Sequence, residues 1–182
     1  FAFGDESLHA PHYLDPLLRV AQEPSVVALP DGRLFATMRT VTGYVWWSES
    51  RDEGESWHAP RPLLRHDKGL PILQPICCCP IYRLSDGRYM LLHHGRLEGT
   101  KPEDAKVNRR PAYIAVGQFQ PEAEQPIRFA ESRVLMDNDN VGLGPQSRID
   151  IGVYTSMTHR DGVDVLWHPD RKFFLLGKRI EV

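Results

Sequence analysis

The sequence has almost no excess of charge: 22 Lys and Arg stand against 24 Asp and Glu, a formal net charge of −2 with His neutral. So small an imbalance gives nucleic acid and anionic bilayers nothing to be attracted by, and both classes of partner are set aside. Long apolar runs are missing as well. The longest candidate, residues 75–82, is short and broken by proline, whereas a helical membrane span needs roughly 20 apolar residues. Cysteine is scarce, and the three present are consecutive, Cys77-Cys78-Cys79. That spacing offers neither a C-x-x-C metal clip nor an even disulfide framework. The three thiols are therefore expected as small apolar groups in a buried strand. No initiator Met, basic stretch or apolar signal region precedes Phe1-Ala2-Phe3, which reads as an end made by processing or truncation. No segment carries the apolar period of a long amphipathic helix.

What remains is the composition of a globular β protein. Apolar residues make up 41% of the chain and charged residues 25%, and 14 Gly with 15 Pro favour many turns. Self-comparison shows a repeat. The stretch from Pro24 through Asp31-Gly32 to Arg39 is echoed from Pro80 through Asp86-Gly87 to His93, and more loosely from Tyr154 through Asp161-Gly162 to Trp167. Each reads as strand, Asp-Gly turn, strand, with both central residues expected at positive φ in a type I′ turn. Further strand-like text follows each hairpin: 44–50 and 57–63, then 112–119 and 127–136, then 173–180. The expectation is an all-β chain of about three blade-like, four-stranded antiparallel units at roughly 21–66, 72–136 and 150–182. The last unit lacks an outer strand. Propellers close with about four to eight blades, so the chain is expected to be part of a ring, its partners including the missing N-terminal blades.

One motif names a family. Ser50-Arg51-Asp52-Glu53-Gly54-Glu55-Ser56-Trp57 fits S-x-D-x-G-x-x-W, a turn in which Ser and Asp satisfy backbone donors, Gly supplies positive φ and Trp packs between sheets. With Glu23-Pro-Ser-Val-Val and Leu-Pro-Asp-Gly-Arg-Leu before it, the chain resembles the sialidase (neuraminidase) superfamily of Asp-box propellers over residues 21–182. The resemblance implies the C-terminal part of a six-bladed propeller, a glycan or anionic sugar as ligand, no cofactor and no metal, and a secreted or periplasmic setting. Trp57 is expected to be buried.

Sialidases hold the substrate carboxylate with three arginines and use a tyrosine nucleophile assisted by a glutamate, with a separate aspartate as acid/base. The resemblance places Glu23 as the assisting glutamate, Arg39 and Arg109 as two of the arginines, with Arg110 an alternative to Arg109, and Tyr154 as the nucleophile. A planar guanidinium bonds a carboxylate bidentately. A neutral phenol avoids the repulsion a carboxylate nucleophile would meet, but with a reference pKa near 10 it needs a base beside it; tyrosine-nucleophile sialidases stand apart from the usual two-carboxylate glycosidases. The acid/base aspartate and the first arginine have no match in residues 1–20, where Asp5 and Arg19 do not fit, so the chain is expected to lack part of the site. Two rivals share the scaffold: another carbohydrate-active enzyme, and a non-catalytic glycan-binding propeller. Plainer alternatives exist residue by residue: surface ion pairs for the arginines, a turn residue for Glu23, a core tyrosine for Tyr154.

Other residues read structurally. His93 and His94 are neighbours that face opposite ways on a strand, which argues against a shared metal. Asp137-Asn-Asp139-Asn-Val-Gly142 begins like a calcium loop but carries Arg148 where the closing glutamate belongs. Trp46 and Trp47 should present one indole to each face, and Arg171-Lys172 and Lys178-Arg179 a solvated charged end.

Overall fold

The computed structural model describes residues 21–95 and 109–182; Asp5, Arg19 and the rest of residues 1–20 lie outside them. Among the described residues every regular element is a strand, and no helix is long and apolar enough to cross a membrane. The first sheet runs in order through β1 (Gln22–Ala28), β2 (Leu34–Arg39), β3 (Trp46–Ser50) and β4 (Arg61–Pro62). The second runs through β5 (Ile81–Arg83), β6 (Tyr89–His94), β7 (Ala112–Phe119) and β8 (Ile127–Phe129). Its remaining strand, β9 (Arg133–Met136), also pairs with β7. The third comprises β10 (Ser156–Arg160), β11 (Val163–Asp170) and β12 (Phe174–Ile180). All pairings are antiparallel. The stretch 127–136, expected as one strand, is split. β8 pairs with one end of β7 and β9 with the other, so a broken outer strand lies along one edge, with Ala130 N–H still bonded to Val116 O between them.

The Asp-Gly turns are of two kinds. At Asp161-Gly162 both residues have positive φ, 51° and 74°, as a type I′ turn requires. At the other two only the glycines do, Gly32 at 90° and Gly87 at 87°. There a tight turn from Leu29 or Leu84 closes on the glycine, with Gly32 N–H to Leu29 O at 3.1 Å and Gly87 N–H to Leu84 O at 3.0 Å. Pro30 accounts for the first: its ring holds φ negative, which suits the leading position of an ordinary turn and excludes the mirror-image one.

Alternation along β6 builds the core. Tyr89 and Leu91 point toward the first sheet and share a cluster with its Phe35, Trp47 and Leu63 and with Ile127 of β8. Met90 and Leu92 point the other way and meet Ile114, Met136, Ile151 and Leu166. The middle sheet is thus buried on both faces, which explains its near-continuous apolar run. Trp47 stacks on Phe35 at 5.0 Å between centroids, while half-buried Trp46 donates its indole N–H to Thr42. Trp57 is not buried: it is half-exposed, packed over Ala36 and Met38 on the far face of the first sheet. Its indole N–H caps Gly54 O at 3.2 Å, so it closes its own turn. Within that turn Asp52 accepts from the Ser56 and Ser50 side chains and the Ser56 amide, which holds its carboxyl at about 2. The cysteine triplet is buried as expected but lies in an irregular connection, not a strand.

Polar latches join the sheets. Ser25 Oγ accepts from Ile81 N–H at 3.1 Å, and the Tyr89 hydroxyl donates to Ala28 O at 3.0 Å. Between the second and third sheets Asp164, 6% exposed, accepts from Ser85 N–H and Oγ, and pairs with His159. Burial pushes the Asp164 carboxyl up, but the bonds from His159 and Ser85 outweigh it and leave the group below its ordinary value. On the outer side, Phe174, Leu175 and Leu176 of β12 are exposed beside Trp167. Replacing Asp164 with Ala removes its charge-assisted bonds to Ser85 and His159 and should cost about 2 kcal/mol. Urea unfolding of the two chains at pH 7 checks this, with the midpoint lower in the variant.

Candidate functional site

Glu23 and Tyr154 are 131 residues apart, yet the tyrosine hydroxyl donates to Glu23 Oε1 at 3.3 Å. Glu23 sits where the β1–β2 ladder slips between Gln22 and Ser25. Pro24 has no N–H to continue the ladder, and the resulting bulge re-aims the side chain before it. Both residues hold left-handed backbone, Glu23 at φ 53° and Tyr154 at φ 62°. For residues that are neither Gly nor Asn such geometry costs roughly 1 kcal/mol or more, and it persists only where surrounding contacts impose it. Tyr154 is not a core tyrosine: it is 59% exposed, and its hydroxyl reaches a carboxylate, not the backbone. The Glu23 carboxylate, then burial, pushes its phenol above the ordinary value.

Arg39 joins this pair from the end of β2. It contacts Glu23 Oε2 through Nη1 at 3.3 Å, and Gln22, its cross-strand partner, accepts from Nη2 at 2.6 Å and Nε at 3.2 Å. Gln22 has no motif to announce it; its role follows from register alone.

Beneath the cluster runs the buried connection 74–79. Gln74 is fully buried; its side-chain N–H₂ donates to Cys77 O at 2.8 Å and Cys78 O at 3.1 Å, and its carbonyl accepts from His94 N–H at 2.7 Å. The segment then holds residues from all three sheets or their approaches. Thr37 on β2 donates to Cys79 O at 2.8 Å, Tyr154 N–H reaches Cys78 Sγ at 3.2 Å, and Arg109 Nη2 donates to Ile76 O at 3.3 Å. Burial pushes the Cys79 thiol up, and the Cys77 contact followed by burial does the same for Cys78, so both stay protonated and inert. A lone glutamine in the apolar text Pro71-Ile-Leu-Gln74-Pro-Ile was the available signal, since a buried amide must be bonded.

The two candidate arginines before β7 separate. Arg109 faces this floor and pairs with Asp150 at 3.3 Å, a carboxylate that Arg148 also approaches at 3.6 Å. Arg110 turns away and bonds Asp137, with Nε to Oδ1 at 2.8 Å. Asp137 is thereby engaged, in keeping with a polar loop. Among the described residues no group of His, Cys, Asp or Glu is arranged to hold a metal. The histidines divide as strand neighbours do: His93 bonds Leu73 O and Ser132, while His94 bonds Ile151 O on the opposite face.

Comparison with known proteins bears on the fold. No family model matches the chain, and no curated protein matches it. Among solved structures it resembles an intramolecular trans-sialidase from Ruminococcus gnavus in complex with oseltamivir carboxylate, at 19% identity and a TM-score of 0.59, over 89% of this chain and 32% of that one. A leech intramolecular trans-sialidase complexed with 2,7-anhydro-Neu5Ac aligns at 17% and 0.58, over 88% of this chain and 23% of that one. NanB with Optactamide aligns at 18% and 0.53, over 82% and 20%. The chain has a sialidase-type fold and spans about a third or less of the length of these structures.

The buried histidines set a pH window. Burial, reinforced by His94, holds His93 down at about 4, and burial lowers His94 too. The unfolded chain takes up a proton near 6.5, so between 6.5 and about 4 it binds more protons than the folded one. Stability is full above this window and falls as pH drops through it, by about 2 kcal/mol at pH 5 for His93 alone. Urea midpoints at pH 7.5 and 5 should show the loss, and His93→Gln should reduce it.

Proposed function

We propose that the chain carries the nucleophile side of a sialidase-like glycoside hydrolase site acting on an anionic sugar. The observation that carries this reading is the Tyr154–Glu23 hydrogen bond. It supplies what a phenol needs to react near neutral pH, an acceptor for its proton at the moment the oxygen attacks. In that step the proton passes to Glu23, the phenol oxygen bonds the anomeric carbon, and the bond to the leaving oxygen breaks. No residue of this chain is assigned as the acid that protonates this oxygen. Water then cleaves the glycosyl–tyrosine bond.

Arg39 and Arg109 are assigned to the sugar carboxylate. Each guanidinium carries five N–H donors, and the contacts with Gln22, Glu23, Asp150 and Ile76 O orient both before a ligand arrives. Preorientation lowers the entropy lost on binding. Arg110, committed to Asp137, is left out of the assignment.

A difluorinated sialic acid tests the nucleophile separately from the acid, because departing fluoride needs no proton. Mass spectrometry should find a covalent adduct on Tyr154, and Tyr154→Phe should abolish it while still binding free sialic acid. Arg39→Ala should weaken that binding about 10- to 100-fold, the scale of a charge-assisted pair. Binding without an adduct in the unaltered chain would favour a glycan-binding propeller. An adduct on another residue would overturn the assignment.

A further inference from the structure

We propose that Lys172 is a working member of this site: its ammonium, held over the ring of Tyr154, supports the phenolate that forms as the nucleophile reacts. The inference rests on the reading of Tyr154 as nucleophile. Lys172 Nζ lies 5.9 Å from the centroid of the Tyr154 ring, within the range where a cation is drawn to an aromatic face. Its side chain is exposed, and no carboxylate among the described residues forms an ion pair with it.

The turn that presents Lys172 is the stronger observation. β11 and β12 are joined at Asp170 and Phe174, with Phe173 N–H donating to Asp170 O at 3.0 Å. Between them Arg171 and Lys172 stand at φ 52° and 62°. Two consecutive left-handed residues are the place for Asn-Gly or Asp-Gly, and the neighbouring hairpin has Asp161-Gly162 there. Here two long cationic side chains occupy the strained positions instead. Arg171 accounts for its own place, because it clamps the turn: its side chain bonds Asp170 at 2.6 Å, Val141 O at 2.6 Å and Asn138 O at 3.3 Å, and its N–H bonds Asp150 O at 2.7 Å. Among the described residues Lys172 makes no such bonds. Its contact is with Tyr154, and strain retained without a packing reason points to function.

The charges around Tyr154 make the need plain. Glu23 from β1 faces the hydroxyl, Cys78 lies under the backbone, Arg39 from β2 stands behind Glu23, and Lys172 covers the ring. While ionised, the Glu23 carboxylate disfavours charge on the phenol; once it has taken the proton it is neutral, and the phenolate depends on the cations around it. Arg39 is shared with Glu23 and Gln22, whereas the Lys172 ammonium is free to act on the ring. Of the pair expected as a solvated charged end, Arg171 is instead a half-buried clamp, while Lys172 is exposed and reaches the Tyr154 ring.

The test is the titration of Tyr154 in the full chain, labelled with tyrosine carrying carbon-13 at the ring carbon that bears oxygen. Tyr154→Phe identifies the signal among the six tyrosines. Because lysine itself loses its proton near 10.4, the informative comparison is between K172R, charged throughout, and K172M, never charged. At low salt K172R should titrate a few tenths of a pH unit below K172M, a gap that narrows at high salt. K172G should titrate like K172M while melting about 2 °C or more above the unaltered chain, since glycine relieves the turn. Identical titration in K172R and K172M overturns the proposal. If the gap is present but the fluorinated probe labels nothing, the nucleophile reading fails and the Lys172–Tyr154 coupling stands. If the probe labels Tyr154 and the gap is absent, the reverse holds.

Discussion

The buried amide of Gln74 is the interaction on which the arrangement depends. A glutamine with no access to water must bond both ends of its side chain or lose several kcal/mol. It does so by holding the carbonyls of Cys77 and Cys78 with one end and the His94 backbone on β6 with the other. An irregular, proline-flanked segment is thereby kept in the interior, where unpaired backbone would otherwise forbid it. Once fixed, that segment offers Ile76 O to Arg109, Cys78 Sγ to Tyr154 and Cys79 O to Thr37. Three groups from distant parts of the chain take their positions from one side chain.

The same arrangement holds Cys78 and Cys79 as thiols. Cys77, Cys78 and Cys79 are buried, and the environment of Cys78 and Cys79 disfavours the thiolate. They serve as small, polarizable groups that let backbone from two sheets come close. Cys78 goes further, since its sulfur is the acceptor for the amide of Tyr154. A strained left-handed residue is thus tied from below, and its side chain is left pointing at Glu23.

The residues of the proposed site come from more than one sheet. β6 is buried on both faces and ties the first sheet to the third through Tyr89, Leu91, Met90 and Leu92, while Glu23 and Arg39 come from β1 and β2 and Tyr154 from the approach to β10. No single sheet contains the cluster. A fold does not fix a chemistry, so the side chains must carry any functional reading.

The sequence alone determined what depends on local pattern. Alternating apolar residues around Asp-Gly dipeptides were enough for the all-β class and for the three successive hairpins, because turn chemistry and side-chain period are local properties. Residues 50–57 likewise specified their own closed turn, since Ser50, Asp52 and Ser56 bond one another. The family resemblance singled out Glu23, Arg39, Arg109 and Tyr154 one by one. Only the tertiary structure decided which of them meet. It separated Arg109 from Arg110, neighbours in sequence that answer to different carboxylates. It also placed Gln22, Gln74, Asp150 and Lys172 around them, moved the cysteines out of any strand, and left Trp57 half-exposed. These outcomes turn on a ladder slip at Pro24 and on what a buried amide finds within reach. Each is set by contacts between residues tens of positions apart, which no spacing in the sequence records.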